Sequence, residues 1–199
     1  MCIGAHSDDI EIGCGGTVLK LIQHNPNLEF YWAVMSGNPE RATEARQAAS
    51  RFLEGAHSTV RIFEFSDTLF PTQFAELKNV FSSIRAEFQP DLIFTHARND
   101  RHQDHRTLSD LTWNAFRNHL ILEYEIPKFD GDLGQPNVFV ALDEHLAQRK
   151  VELLMECFGT QRSKHWFSPD TFEGLMRLRG LESATRFAEG FHGRKLLAM

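Results

Sequence analysis

Apolar and polar positions along the chain switch between two periods. The short "MCIGA" reads as a first strand and "GGTVLKLIQH" as the helix after it. An unbroken apolar run, "EFYWAVM" (29–35), predicts a second strand, ended by "SGNPE". Asn38 is then a good N-cap and Pro39 a good first residue for the helix "PERATEARQAASRFL". Its Ala42, Ala45, Ala49, Phe52 and Leu53 recur at helical spacing. A third strand, "TVRIFEF" (59–65), leads to the helix "PTQFAELKNVFSSIRAEF" (71–88), with Phe74, Leu77, Phe81, Ile84 and Phe88 on one face. "PDLIFTH" (90–96) predicts a fourth strand, and after "ARNDRHQD" a helix runs through about residue 118. Strands alternating with helices predict an α/β fold, a mostly parallel sheet in a Rossmann-like three-layer domain with helices on both faces.

From residue 121 the pattern changes. "LILEYEIPKFDGDLGQPNVFVAL" holds two short β-like runs around a turn rich in Gly, Pro and Asp. "DEHLAQRKVELLMECF" (143–158) reads as a helix with Asp143 as N-cap, and "SPDTFEGLMRLRG" and "ESATRFAEGF" as two further short helices.

Composition sets limits. The 199 residues are enough for one domain with its own core, and 42% hydrophobic with 24% charged residues is ordinary for a globular protein. A formal charge of −6 without any basic run argues against nucleic-acid or anionic-membrane partners. Cys2, Cys14 and Cys157 form no close pair and leave an odd thiol, which fits a reducing compartment. No run approaches the length of a membrane span and no signal peptide is evident, so the cytoplasm is the default location.

Chemistry gathers at two strand ends, where ligands bind in open α/β sheets. One cluster is "AHSDD" (5–9), after strand one; the other is "HARNDRHQDHR" (96–106), after strand four. Strands one and four commonly flank the switch point of such a sheet, so both clusters can share one crevice. Neutral imidazole and carboxylate are ligands for zinc or a similar divalent ion, and catalytic sites take three protein ligands. His6 and Asp9 can converge on one ion and His105 can supply the third ligand. Asp8 then lies beside the ion, able to accept a proton from water, although a "DD" pair also caps helices. His102, held by Asp104, could stabilise a developing oxyanion or protonate a leaving amine. The remaining histidines, His96 among them, read as surface or core-edge residues, with His192 a weak candidate for the site. Gly13, Gly15 and Gly16 do not fit a dinucleotide-binding spacing and read as close turning and helix packing.

"IGAHSDDIEIGCGGT" with "HQDHR" resembles the de-N-acetylases of the PIG-L or LmbE-like family, zinc enzymes that remove acetyl groups from N-acetylglucosamine-type sugars. The resemblance implies His6, Asp9 and His105 as zinc ligands, Asp8 as general base and His102 as the oxyanion-stabilising or proton-donating group. "RATEARQAASRFLEGA" is similar to a family helix whose arginine, here Arg41, faces substrate, and "FSDTL" to a stretch whose aspartate, here Asp67, contacts the sugar. "YEIP", "PNVFVAL" and "FAEGF" resemble the closing half of bacterial members. The implied organisation is one domain over residues 1–199: a core over 1–120 with both motifs, then closing strands and helices over 121–199. Departures are Ser7 where proline is usual, Asn38 in place of an acid after strand two, and "GTQR" for a usual Ser-Gln. The chain also starts almost on top of its first motif, which leaves a truncated or late-assigned start open and predicts a short first strand.

The expected activity is hydrolysis of an N-acetyl amide on an acetylated amino sugar, with one Zn2+ per chain. Iron or cobalt in its place, a homo-oligomer and the identity of the sugar stay open. Two other readings are hydrolysis of another amide or a phosphate ester by the same metal, and a non-catalytic domain that binds a sugar or nucleotide.

Overall fold

The computed structural model describes residues 1–25 and 27–196. Among these residues seven strands form one sheet: β1 (Cys2–Gly4), β2 (Glu29–Ser36), β3 (His57–Phe65), β4 (Leu92–His96), β5 (Leu120–Tyr124), β6 (Val138–Leu142) and β7 (Phe187–His192), in the order β3-β2-β1-β4-β5-β7-β6. The first five run parallel; β7 is antiparallel to both β5 and β6. Among the described residues six α-helices cover it: α1 (Asp9–His24), α2 (Pro39–Phe52), α3 (Phe74–Glu87), α4 (Gln103–Ala115), α5 (Glu144–Cys157) and α6 (Pro169–Glu182). Leu77, Phe81 and Ile84 of α3 and Leu108 and Leu111 of α4 pack on one face of the sheet. The larger cluster on the other face takes side chains from α1, α2, α5 and α6. The α/β architecture expected from the alternating pattern is therefore present.

Two elements differ from the sequence reading. Helix α1 starts at Asp9, so the glycines lie inside it, where Gly13 faces the Tyr124 ring and Gly15 the Phe52 ring. "FAEGF" belongs to β7, which enters between β5 and β6; Phe191 pairs with Tyr124 on one side and Val138 on the other. Its Ala, Glu and Phe read as helix locally, but pairing on both edges decides the outcome. Left-handed Ala184 (φ 56) separates it from α6.

Strand β1 is three residues long, yet it pairs with both β2 and β4, and Phe94 N donates to Met1 O at 2.9 Å. Asn38 caps α2 as expected, its Oδ1 accepting from Arg41 N at 2.9 Å.

Gly13→Ala tests how tightly α1 sits on the sheet. A Cβ there would overlap Tyr124, which is fully buried and donates its hydroxyl to Ile3 O at 2.7 Å, so the ring has no easy retreat. Overpacking of about 1–3 kcal/mol should outweigh the roughly 1 kcal/mol of helix propensity gained. A net loss of stability in urea unfolding is the expected result.

A candidate metal centre at the switch point

Strands β1 and β4 are neighbours where the sheet order reverses, and the two polar clusters leave their carboxyl ends side by side. After β1 the chain turns tightly: Asp9 N donates to His6 O at 3.4 Å, and Asp9 Oδ2 accepts from His6 N at 2.7 Å. After β4, Asp100 Oδ1 accepts from His102 N at 2.8 Å and α4 begins one residue later. His105 thereby falls on the first turn of α4, opposite His6.

Three donor atoms form a small triangle. His6 Nδ1 is 3.2 Å from His105 Nε2 and 3.3 Å from Asp9 Oδ2, and His105 Nε2 is 3.5 Å from Asp9 Oδ2. Tetrahedral zinc, with bonds of about 2.0–2.1 Å, spaces its ligands by about 3.3 Å. The outer nitrogens have carboxylate partners: His6 Nε2 meets Asp67 Oδ1 at 2.9 Å and Asp104 Oδ2 at 3.2 Å, and His105 Nδ1 meets Asp100 Oδ2 at 2.9 Å. Each ring can therefore keep its proton outside and turn a lone pair inward, the arrangement of histidines that hold metals. Two imidazole lone pairs and a carboxylate then converge, which a cation stabilises. The titration behaviour agrees. Burial raises the Asp9 carboxyl, but His105, His96 and His6 outweigh it and hold the group well below the usual range. Burial likewise disfavours a charged His6, yet Asp9, Asp104 and Asp67 push its pKa well up. The donor set fits a divalent ion.

Asp8 occupies the N-cap of α1, but its side chain makes no capping bond. It turns to Arg41, whose Nη2 donates to Asp8 Oδ1 at 2.9 Å. Burial pushes the Asp8 carboxyl up and Arg41 pulls the other way. The ring of His102 lies 4.9 Å from His6 and 4.6 Å from His105 between centroids. Burial, then the neighbouring His105 and His6, lower its pKa, so the neutral ring is favoured.

The expected pairing of Asp104 with His102 takes a different form. The Asp104 carboxylate accepts from Thr68 N at 2.6 Å and from Phe70 N at 3.1 Å, besides meeting His6. What reaches His102 is the Asp104 backbone N–H, which donates to Nδ1 at 3.3 Å. That bond assigns the proton of neutral His102 to Nε2. The Asp104 side chain instead clamps the loop after β3, where Thr68 holds a positive φ of 68°, and so keeps Asp67 beside His6. Asp67 remains 55% exposed at its side chain, which leaves it open to a ligand.

Several residues were missed or misjudged from sequence. His96 is fully buried; its ring stacks on His105 at 3.9 Å and its Nε2 accepts from Ala5 N at 3.0 Å. Its place at the end of β4 was the available signal. Glu11 is also fully buried, and its carboxyl oxygens find no hydrogen-bond partner among the described residues; burial first, then Asp8 and Asp9, push its pKa well up. Glu44 accepts from Thr160 N at 2.8 Å and from its hydroxyl at 2.6 Å. Phe191 is core and packs on Phe94. His192 lines a separate cavity of about 200 Å³ with Asp100, Lys128 and Asp132.

An α/β sheet with three donors converging at its switch point defines a class of proteins able to hold one divalent ion there. The chain belongs to the PIG-L family, described as GlcNAc-PI de-N-acetylase, which matches residues 1–116 and so takes in every residue of this centre. Over 139 residues it is 30% identical to the "uncharacterized deacetylase YaiS" of Escherichia coli (strain K12), covering 64% of this chain and 73% of that one. The N,N'-diacetylchitobiose deacetylase of Pyrococcus horikoshii has a similar fold (TM-score 0.73, 21% identity, covering 96% of this chain and 81% of that one). So does GalB, the 4-carboxy-2-hydroxymuconate hydratase of Pseudomonas putida KT2440 (TM-score 0.77, 15% identity, 100% and 96%). Shared fold thus does not choose the reaction; family membership makes this chain a hydrolytic de-N-acetylase. Among the described residues no helix is long and apolar enough to cross a membrane.

Proposed function

We propose that this protein removes the N-acetyl group from an N-acetylglucosamine-type sugar conjugate, using one zinc ion held by His6, Asp9 and His105. The observation that carries the reading is the donor triangle, with edges of 3.2, 3.3 and 3.5 Å, backed on both rings by carboxylates. When bound there, zinc supplies Lewis acidity at the amide oxygen and acidifies water.

The chain's own residues account for the proton movements. Asp8 takes the proton of the attacking water and, once protonated, returns it to the departing amine. Arg41 fixes the Asp8 carboxylate through Oδ1, leaving Oδ2 to face the water. His102 donates from Nε2 to the amide oxygen as negative charge gathers on it. Arg41 and Asp67, at the margin of the centre, hydrogen-bond sugar hydroxyls. The three buried free cysteines suit work in the cytoplasm.

The test is metal content by mass spectrometry together with acetate release from N-acetylglucosamine derivatives and from chitobiose. About one zinc per chain with acetate release is expected; phosphate-ester turnover without acetate release would replace this reading. The Asp8–Arg41 contact adds a pH prediction. Arg41 stabilises ionised Asp8, so Arg41→Met should move the acid limb of the kcat profile to higher pH. An unmoved limb would separate Asp8 from the proton transfer.

A further inference from the structure

The connection between β5 and β6 carries a lysine that none of these steps uses. Lys128 is largely buried, and its Nζ lies 2.9 Å from Asp100 Oδ2 and donates to Asp132 Oδ1 at 2.7 Å, with Ile126 O at 3.4 Å. Asp132 also accepts from Arg101 N at 2.6 Å. Asp100 Oδ2 is the same atom that meets His105 Nδ1 at 2.9 Å, while Asp100 Oδ1 accepts from His102 N. One carboxylate oxygen therefore serves both the ammonium and the ring of a candidate ligand.

We propose that Lys128 is a positioning residue of the metal centre: it fixes Asp100 against His105 Nδ1 and so aims His105 Nε2 at the ion. This rests on the assignment of His6, Asp9 and His105 as ligands. His102 N holds Asp100 Oδ1, while Oδ2 meets only His105 and Lys128, so the ammonium is the second strong donor that fixes the oxygen facing the ring. An ammonium suits the task. It is a compact charge with three donors, and Lys128 has three acceptors around it in Asp100, Asp132 and Ile126 O. Without Lys128, two buried carboxylates would lose their shared cation beside the 200 Å³ cavity that both line. Asp100 would then turn toward that cavity and release His105. Second partners of this kind typically change metal affinity by about 10–100-fold.

Co2+ is the probe, because its visible bands report ligand geometry without any turnover. In the full chain, Lys128→Met is expected to shift the Co2+ bands and to speed release to a chelator by about tenfold or more, with the circular dichroism spectrum unchanged. Asp132→Asn leaves Lys128 on Asp100 and should stay within about threefold of wild type. Lys128→Arg keeps the cation and should recover most of the retention. Wild-type bands and release in Lys128→Met overturn the proposal. So does Asp132→Asn matching Lys128→Met, since docking of the connection would then suffice. Should Lys128→Met not fold, Lys128→Gln carries the same comparison. A wild-type chain that takes up no Co2+ would reject the ligand assignment itself, before any variant is compared.

Discussion

Asp8→Asn should lower kcat for acetate release by about 10²–10⁴-fold, the usual contribution of a positioned general base. KM and metal content should stay near wild type. The substitution is nearly isosteric, and an asparagine oxygen can still accept from Arg41, which now donates to Asp8 Oδ1 at 2.9 Å. The geometry around the centre is therefore kept, while the group that takes a proton is lost. Asp8 Oδ1 is engaged by Arg41 and none of the three donor distances involves Asp8, so metal retention separates its role from that of Asp9. Steady-state kinetics with acetate quantified directly would measure the effect. A kcat within tenfold of wild type would mean that another group carries the proton.

His105→Ala should remove both metal and activity. It leaves His6 and Asp9 as a two-donor remnant, below the three protein ligands that catalytic zinc sites use. Metal content is expected to fall from about one per chain to near zero, with acetate release falling to background. Stability supplies an independent reading. An ion present at 100 times its dissociation constant stabilises a folded protein by about 2.7 kcal/mol, so a chelator should lower the Tm of the wild type and leave that of the variant unmoved. A variant with full metal content and wild-type turnover would eliminate the donor triangle as the site.

Much of this architecture was legible because its signals are local. The run 29–35 is apolar throughout, as suits a strand covered on both faces, and it became β2 at Glu29–Ser36. The stripe from Leu77 to Ile84 became the buried face of α3. Segment 187–191 was misread because its strand identity depends on β5 and β6, far away in sequence. The centre divides the same way. His6, Asp9 and His105 could be singled out from residue type and position at strand ends. The partner of the Asp104 carboxylate could not, since spacing points to His102 two residues away. The oxygens instead meet Thr68 and Phe70 on a loop that local pattern does not connect to α4. Lys128 carried no signal at all; a lysine in a polar turn ordinarily faces solvent, and its burial between Asp100 and Asp132 exists only in the assembled fold.

Insertion of β7 between β5 and β6 has a consequence for synthesis of the chain. Every residue of the centre precedes residue 116, where the family match ends, and so leaves the ribosome before most of the closing half is made. Strand β6 emerges earlier than β7 but has no place on the sheet until β7 lies along β5. Helix α1 is also anchored there, for Glu189 of β7 accepts from Gly16 N at 2.9 Å and Thr17 N at 2.6 Å, while Lys150 of α5 donates to Ile12 O and Glu189 at 2.6 Å. A nascent chain stalled before residue 189 would hold all three candidate donors and lack β7, and with it the Glu189 anchor of α1 and the partner of β6. The residues of the candidate centre are thus translated well before the strand that completes the sheet beside them.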